Sequence, residues 1–545
     1  MQKQLLSLSL LLISLSLNAQ TWQWAAGIGA NGGNENATAI VTDGASNVYV
    51  AGNFTGSSLT FGGNTLTNGG ATDMFIVKYD PWGGVVWAKR IGGTNNDKVH
   101  GLAIDFNGDL LITGIYFSNV LSFGSVFLTN TTAGYSDLFL AKLDPSGTIL
   151  WAKKGGGNNN DISNSISSDP TGNIFIGGSF SSTTLTFGTS SVTKTGNQDA
   201  FIARFDMNGN YNWAVTSSGT GSMAECTSVC ADANGNINAT GYFNAANVAF
   251  QGTTLINSGD KDVFVVKYNG NGVIYWAKSA GGPNDDKSNA ICNGSNGDVY
   301  ITGNFVSSVI TFGTTTYNNT NPSTEDIFLA KLDQFGNFGW ARTSGGNGSD
   351  AGNGITTDAS GNVYITGYYS SIVNFGSATL TTNGTLDIFL ARYNSSGVNG
   401  YAKGAGGTAV DISYGIALSP SNNAYLAGGF FSSSFQLGST TLLNANTGDS
   451  LSDIFVTMLN HVNNINDIAN EYEFTAFPNP STGIVTLNFP LQANELFVYN
   501  SEGKCIQKQL ISGNKSDLIF NDDGIYLVKV SGNDVNYTKK IIIQH

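Results

Sequence analysis

The sequence predicts an all-β protein built around a seven-bladed β-propeller, because three landmarks each recur seven times at intervals of about 63 residues. An aromatic residue followed by Ala recurs at Trp24, Trp87, Trp151, Trp213, Trp276, Trp340 and Tyr401. An Asp-x-Phe motif begins at Asp73, Asp137, Asp199, Asp262, Asp326, Asp387 and Asp453. A Gly that ends segments such as GNVYITG stands at Gly52, Gly114, Gly178, Gly241, Gly303, Gly367 and Gly428.

Each repeat contains four strand-like runs, which in residues 98–154 read VHGLAID, DLLITGIYF, DLFLAKLD and TILWAKK. Gly, Asn and Asp bound these runs, and the tetrapeptides DFNG and DPSG have the composition of tight hairpin turns. Four antiparallel strands in each repeat are typical of one propeller blade. The remaining length carries a Phe-Gly pair between two short apolar runs, which predicts an extra hairpin between the second and third strands.

The two ends of the repeat region are expected to complete one blade together. The seventh repeat ends at Asn460 without an aromatic-Ala strand, whereas TWQWAAG near the N-terminus has no earlier strand to pair with. Residues 20–27 are therefore predicted to be the outer strand of blade seven, which removes two exposed sheet edges.

The N-terminal segment has the order of a secretory signal peptide. Lys3 precedes an apolar core from Leu5 to Leu17, and the small residue Ala19 follows it. We assign residues 1–19 to this peptide and 20–460 to the propeller. The rest of the chain contains no apolar run long enough to span a membrane. The net charge of −14 disfavours nucleic acid as a partner.

The inventory of reactive side chains is small. The three histidines are His100, His461 and His545, so a Ser-His-Asp triad or a multi-His metal centre is disfavoured. No catalytic constellation is recognisable, and we expect a protein that is not an enzyme. Catalysis by two suitably spaced carboxylates stays open as an alternative.

The four cysteines do not form a disulfide framework. Cys226 and Cys230 lie too far apart along a strand to pair with each other. Cys230 and Cys292 occupy equivalent positions in adjacent repeats, which leaves two alternatives: a bridge between blades or buried free thiols. Cys505 is expected to be a small buried apolar residue.

One acidic position recurs near the start of the first strand in six repeats and is Ala224 in the fourth, where Glu225 follows. The acids are Glu35, Asp97, Asp161, Asp286, Asp350 and Asp411. One interpretation is that they cap the Gly-rich turns between blades. The other is a ligand or cation site at one mouth of the central channel, since clustered carboxylates repel one another unless something neutralises them. No cofactor is otherwise indicated, and Ca²⁺ is the cation considered.

The DANGN stretch at 232–236 imitates the start of a calcium loop but lacks its later ligands.

After a polar linker at 461–472, residues 473–545 contain strand-like runs with turn signals that predict a small Ig-like β-sandwich. This tail resembles the type A C-terminal sorting domain of the Bacteroidota type IX secretion system. The matching positions are Pro478, Asn479, Pro480, Gly483, Gly503, Lys504, Gly524, Tyr526, Lys539 and Lys540. The resemblance implies that the secretion machinery carries the protein across the outer membrane, and then releases it or attaches it to the surface.

The repeats, with strings such as IAxDxxGNVYITG and DIFLAKLDxxGxxxWA, resemble the SBBP β-propeller repeat of secreted bacterial proteins. That resemblance implies a scaffold and no single activity. We expect an extracellular or outer-membrane surface module that binds a glycan or protein ligand. The alternatives are a secreted polysaccharide-active enzyme that uses paired carboxylates, and a purely structural surface component. If there is a binding face, it is expected to carry the Phe-Gly hairpins.

Overall fold

The computed structural model describes residues 21–446, 450–460, 475–488, 495–500, 504–511, 515–531 and 536–544. They fall into two compact units, one within Gln20–His461 and one within Val462–His545, and each is described by itself. The predicted signal peptide and linker lie outside the described residues. Among these residues we find no helix with the length and hydrophobicity that a membrane crossing requires.

The larger unit consists of four-stranded antiparallel sheets that repeat along the described chain. The strand that comes first in each sheet is β2 (Glu35–Thr42), β8 (Asp97–Ile104), β14 (Asp161–Ser168), β20 (Ala224–Ala231), β26 (Asp286–Asn293), β32 (Ala351–Thr357) or β38 (Asp411–Leu418). The second strands are β3 (Val48–Phe54), β9 (Leu110–Tyr116), β15 (Ile174–Phe180), β21 (Ile237–Phe243), β27 (Val299–Phe305), β33 (Val363–Tyr369) and β39 (Ala424–Phe430).

The outer half of each sheet begins at the Asp-x-Phe motif. The third strands are β6 (Asp73–Tyr79), β12 (Asp137–Leu143), β18 (Asp199–Phe205), β24 (Asp262–Tyr268), β30 (Asp326–Leu332), β36 (Asp387–Tyr393) and β42 (Asp453–Leu459). The fourth strands are β7 (Val85–Ile91), β13 (Ile149–Gly156), β19 (Tyr211–Ser218), β25 (Ile274–Ala280), β31 (Phe338–Ser344), β37 (Asn399–Ala405) and, in the last sheet, β1 (Trp22–Ile28).

The last sheet joins the two ends of the repeat region, as predicted. Its strand order is β1-β42-β39-β38, and Ala26 lies opposite Val456. The indole of Trp24 lies 6.0 Å from the ring of Tyr79 in the first sheet and 6.1 Å from Tyr425 in the last. The N-terminal strand therefore belongs to the last sheet and also contacts the first.

The predicted extra hairpin is present between the second and third strands of every sheet. The hairpins are β4 (Ser58–Phe61) with β5 (Asn64–Thr67), β10 (Val120–Phe123) with β11 (Val126–Thr129), β16 (Thr184–Phe187) with β17 (Ser190–Thr193), β22 (Asn247–Phe250) with β23 (Thr253–Ile256), β28 (Val309–Phe312) with β29 (Thr315–Asn318), β34 (Ile372–Phe375) with β35 (Ala378–Thr381), and β40 (Ser434–Leu437) with β41 (Thr440–Leu443).

Aromatic contacts explain why the Phe-Gly and Asp-x-Phe motifs recur together. The ring of Phe61 lies 5.0 Å from Phe75, and Phe250 lies 4.8 Å from Phe264. The hairpin also contacts the preceding sheet, where the pair Gly155 and Phe187 joins β13 to β16. Each hairpin is thus packed against its own sheet and against its neighbour, in a position that buries its apolar side chains.

The aromatic-Ala landmark stabilises the contact between successive sheets. Trp276 donates its indole N–H to the carbonyl of Gln334, 3.0 Å away in the next sheet's outer turn. Gly336 of that turn lies against the same indole. The backbone of the turn approaches the ring so closely that a Cβ would overlap it, which accounts for the Gly in this DxxG turn.

Two sheets form the smaller unit, whose strands are β43 (Thr475–Phe477), β44 (Ile484–Asn488), β45 (Glu495–Tyr499), β46 (Cys505–Leu510), β47 (Lys515–Ile519), β48 (Gly524–Ser531) and β49 (Asn536–Ile543). Their orders are β43-β44-β47 and β46-β45-β48-β49. Val485, Leu487, Val498, Val528 and Ile541 fill the core between the sheets. The predicted β-sandwich is therefore present.

The four cysteines are free. Burial raises the pKa of the Cys230 thiol to about 11, which keeps it protonated and unreactive. The expectation for Cys505 is wrong, because this residue is exposed. It begins β46, an edge strand of the sandwich whose side chains are exposed or only partly buried.

Candidate functional site

Every first strand of the larger unit contains a β-bulge at the same position. Its pairing with the second strand shifts by one residue there, for example between Ser288 and Ala290. The bulged residues are Thr38, His100, Asn164, Thr227, Asn289, Asn353 and Tyr414, which we call the axial ring. Bulges redirect a side chain away from the regular alternation of a strand and are frequent beside functional sites.

Six members of the axial ring connect adjacent sheets by hydrogen bonds. Asn289 Nδ2 donates to the carbonyl of Gly352, and Asn353 Nδ2 donates to that of Ser413, each over 3.0 Å. Thr38, His100, Asn164 and Thr227 make the equivalent contact with the next sheet over 2.7–3.0 Å. Tyr414 differs from the others, since its side chain is 37% exposed.

The repeated Gly at the end of each second-strand segment lies opposite the bulge. A Cβ at Gly303 would overlap the carbonyl oxygen of Lys287, and a Cβ at Gly241 would overlap that of Glu225. The same overlap arises at Gly52, Gly114, Gly178, Gly367 and Gly428. This landmark is therefore required by the close approach of two backbones at the bulge.

The six predicted ring acids lie where the first strands begin: five are the first residue of their strand, and Asp350 directly precedes β32. Their side chains are fully buried. Asp97 shows the shared arrangement: Gly93 N donates to Oδ2 over 2.6 Å, and Ser118 Oγ donates to the same oxygen over 2.7 Å. The turn-capping interpretation accounts for these contacts.

Each of these acids has a second carboxylate nearby, from the Asp-x-Phe motif of the preceding sheet. Asp262 accompanies Asp286, and Asp326 accompanies Asp350. Burial, with a smaller contribution from the neighbouring charge, raises the pKa of Asp286 to about 7 and that of Asp350 to about 8. The described residues contain no group of three or more His, Cys, Asp or Glu side chains placed to hold a metal ion. Calcium binding at the ring acids stays a prediction.

These raised pKa values predict that the larger unit becomes less stable as the pH rises from about 4 to 8. The unfolded acids titrate near 4, so across this window the folded state holds more protons than the unfolded state, and the free energy of unfolding falls. We expect an apparent melting temperature at least about 5 °C higher at pH 5 than at pH 8. Replacing Asp286 by Asn, which removes one titration, should reduce this difference. Equal melting temperatures at the two pH values would contradict the prediction.

The calcium-like stretch at 232–236 is a hairpin turn. Asp232 Oδ1 accepts backbone N–H groups from Asn234 at 3.0 Å and Asn236 at 2.9 Å. Its Oδ2 lies 3.1 Å from Lys267 Nζ. This lysine supplies the positive charge beside the carboxylate.

A group of side chains that differ between the repeats lies where the fourth, fifth and sixth sheets meet, at the end where the first strands begin. We call Glu225, Tyr242, Lys261, Asp285, Lys287, Glu325 and Tyr368 the mouth cluster. Equivalent positions in the other sheets carry mostly small, amide or apolar residues, for example Ile162, Ser179 and Leu386. Sequence reasoning missed this cluster. Comparing equivalent positions across the repeats would have found it, since five of its seven residues are charged.

Hydrogen bonds and ion pairs hold the mouth cluster together. Tyr242 donates its OH to Glu225 Oε2 over 2.8 Å, and Tyr368 donates to Glu325 Oε2 over 3.0 Å. Asp285 Oδ2 accepts from Lys261 Nζ over 2.7 Å. The ammonium groups of Lys261 and Lys287 lie 5.9 and 5.8 Å from the Tyr242 ring.

The mouth cluster is partly exposed and continuous with the axial ring. The side chains of Lys261 and Asp285 are 31% and 33% exposed. Asn164 of the axial ring donates to Glu225 Oε1 over 2.9 Å. The cluster therefore offers solvent a rigid surface that contains both charge signs and aromatic rings.

In the smaller unit, the predicted motif residues join the beginning of the domain to its last strand. Asn479 Oδ1 accepts the N–H of Ile542 over 2.8 Å, and Ser481 N donates to the carbonyl of the same residue over 2.9 Å. Tyr526 packs 4.4 Å from Phe520. Among the other motif residues, Gly503 lies outside the described residues. The structure describes Pro478, Pro480, Gly483, Lys504, Gly524, Lys539 and the backbone of Lys540.

Comparison with known proteins identifies two segments of the chain. Residues 475–544 match the family model for a secretion system C-terminal sorting domain, and residues 86–114 match that for a β-propeller repeat. The chain therefore carries an SBBP-type β-propeller repeat and a C-terminal sorting domain, as the sequence motifs predicted.

Individual relatives are distant. An uncharacterized WD repeat-containing protein, L264, of Acanthamoeba polyphaga mimivirus is 24% identical over 438 residues, which cover 65% of this chain and 31% of that protein. The regulatory protein FlaEY of Caulobacter vibrioides is 25% identical over 153 residues, 27% of this chain and 16% of its own length. The chain thus spans less than a third of either relative. PorZ, a surface component of the type IX secretion system of Porphyromonas gingivalis, matches with a TM-score of 0.17 and 10% identity, and the match covers 96% of this chain and 100% of PorZ.

Proposed function

We propose that this chain, which carries a β-propeller repeat and a secretion-system sorting domain, is a non-enzymatic binding module displayed at the cell surface or released from it. The sorting domain implies export across the outer membrane by the secretion machinery. The observation that carries the binding role is the mouth cluster, where charged and aromatic side chains depart from an otherwise repeated scaffold.

We also infer that the repeated sheets close into one seven-bladed ring. The first strand β2 packs against β8, and β38 of the last sheet packs against β2 in the same way. The β1–β42 pairing supports this arrangement, because it supplies the fourth strand that the last sheet would otherwise lack. A closed ring leaves the first strands around a common axis, with the mouth cluster at one end of it.

The location of the mouth cluster suits recognition. Connections between sheets and the hairpins lie at the same end of each antiparallel unit, whereas the other end carries short DxxG turns. Partly exposed Lys, Asp and Tyr side chains that are held by their neighbours lose little conformational entropy when a ligand binds. Either a glycan or a protein loop fits this chemistry.

The carboxylate-enzyme alternative has less support. The paired acids between sheets are buried at the level of the turns, out of reach of a polymeric substrate. Glu225 and Glu325 each accept a tyrosine OH and an amide N–H, so their lone pairs are engaged in holding the cluster. Glycosidase catalysis needs one carboxylate free to donate a proton and a second free to act on the sugar or a water.

A binding screen with matched variants tests the proposed function. The full chain is screened against immobilised glycans and surface proteins, and each hit is measured again with Tyr242→Ala and with Lys287→Ala. We expect these changes to weaken binding about tenfold or more, since aromatic and charged groups at the centre of a site carry most of its affinity.

The controls separate the two faces of the ring. Trp82 and Phe335, in turns at the opposite end, are 82% and 69% exposed, and replacing either by Ala should leave binding unchanged. Loss of binding in these controls with none in the mouth variants would place the site on the opposite face. No hit with either class of probe would refute a binding role and favour a structural component.

A further inference from the structure

We infer that the axial ring forms a subsite for one neutral sugar residue of a glycan, with Tyr414 as the aromatic platform beside it. This inference rests on the proposed binding function and specifies its ligand class. Three observations support it. They are the cavity at the axis, the hydrogen bonds made by its lining, and the partly exposed Tyr414, which differs from the other six members of the axial ring.

The cavity at the axis has a volume of about 200 Å³ and is lined by all the first strands. Asn164, Asn289 and Asn353 contribute amide side chains, and Thr38 and Thr227 contribute hydroxyls. Sites that enclose whole drug-sized ligands are larger, roughly 300–1,000 Å³. The cavity is therefore of a size for a single ring or side chain.

The lining carries no formal charge at neutral pH. His100 is the only titratable residue that lines this cavity among those the structure describes. Burial lowers its pKa to about 4, and its Nδ1 lies 3.0 Å from the carbonyl of Ser163, which accepts a hydrogen bond from the neutral ring. A charged ligand would meet no opposite charge here, and a neutral one loses less hydration on entry.

The three asparagines of the lining present hydrogen-bond acceptors. Asn289 and Asn353 each direct Nδ2 into the backbone of the next sheet. Their Oδ1 atoms, like that of Asn164, accept no hydrogen bond from the residues described in the structure. A ligand that satisfies them must supply donors, and sugar hydroxyl groups do so without a charge.

The bridges of the axial ring also make the subsite rigid. The threonine and asparagine side chains that would otherwise reorient are held between two sheets before a ligand arrives. Preorganised acceptors bind a neutral sugar ring more tightly than mobile ones, because less rotamer freedom is lost.

Tyr414 is adjacent in sequence to Gly415, which lines this cavity, and it lies near Tyr368 of the mouth cluster. It occupies the bulge in the last sheet, where the other sheets carry Thr, His or Asn. The pKa of Tyr368 is raised by burial, by Glu325 and, to a smaller extent, by Tyr414 itself. A partly exposed phenol ring beside hydroxyl and amide groups has the composition of a sugar-stacking site, in which the apolar face of the sugar covers the aromatic ring.

The test uses the full chain and two sets of oligosaccharides, neutral ones made of glucose, mannose or galactose and acidic ones made of uronic acids. We expect binding of at least one neutral oligosaccharide, inhibition by the matching free monosaccharide, and weakening of about tenfold in Tyr414→Ala. Tyr414→Phe, which keeps the ring, should retain most of the binding, and Thr227→Val, which keeps the shape of the side chain, should weaken it. Tyr275→Ala, on an outer strand and 59% exposed, is the matched control.

The outcomes separate this inference from the proposed function. Binding that is lost in Tyr242→Ala but unchanged in Tyr414→Ala and Thr227→Val would overturn the axial subsite and leave the mouth cluster as the site. Selective binding of the acidic oligosaccharides or of protein ligands alone would overturn the neutral-sugar assignment. The absence of any binding would overturn both proposals.

Discussion

Replacing Gly303 by Ala is expected to destabilise the larger unit by about 3 kcal/mol, among the largest effects of any single methyl group in this chain. The added Cβ would overlap the carbonyl oxygen of Lys287 at the bulge of the fifth sheet. A backbone atom cannot rotate away as a side chain can, so β26 and β27 must separate. That separation also strains the bridge from Asn289 to Gly352.

Urea unfolding followed by tryptophan fluorescence measures this effect. Gly44→Ala is the matched control, since a Cβ at Gly44 meets nothing within 4 Å and its φ is not in the left-handed region. The control should change the free energy of unfolding by less than about 0.5 kcal/mol. Similar stabilities for the two variants would show that the repeated Gly has a role other than the close approach at the bulge.

The sequence was sufficient to predict the repeated sheets because strand and turn signals are local. Runs such as DIFLAKLD contain their own β-propensity, and the DxxG turns contain their own Gly with positive φ, as at Gly147 and Gly336. The pairing of β1 with β42 was also predictable, since an unpaired strand at each end left one arrangement that satisfies both edges.

The bulges could not be predicted in the same way. A bulge is a property of two strands, and nothing in the residues around Asn289 or Thr227 distinguishes a bulged residue from a regular one. The repeated Gly was recognised as a landmark, but its cause became visible only when the opposite carbonyl was located. The axial ring was missed for the same reason.

The ring acids show a different limit. Their period was correctly identified, but the direction of a side chain at the start of a strand depends on the turn before it. The carboxylate of Asp97 accepts the backbone N–H of Gly93, and that of Asp161 accepts the hydroxyl of Ser182. The proposed binding site depends instead on departures from the repeat, such as Glu225 and Lys287.

A chain truncated after about residue 465 is expected to fold and to remain in the periplasm of a host with the matching secretion system. The truncation keeps Asn460, whose side-chain Oδ1 accepts the N–H of Thr21 over 2.7 Å, so the joined ends of the last sheet stay intact. The two units have separate cores, which favours independent folding. Cell fractionation and surface proteolysis measure the location of the truncated and full chains.

A point variant distinguishes loss of the sorting domain's fold from loss of chain length. Val528 is fully buried between the sheets of the smaller unit, and Val528→Asp places an unpaired charge there, which should unfold that domain and abolish export. Thr486→Ala, on the outer side of the same sandwich, is the control and should be exported. The melting transition of the larger unit should be the same in all these proteins.

Delivery of the truncated chain to the surface would refute the sorting role of residues 475–544. A truncated chain that fails to fold would show that the two units depend on each other.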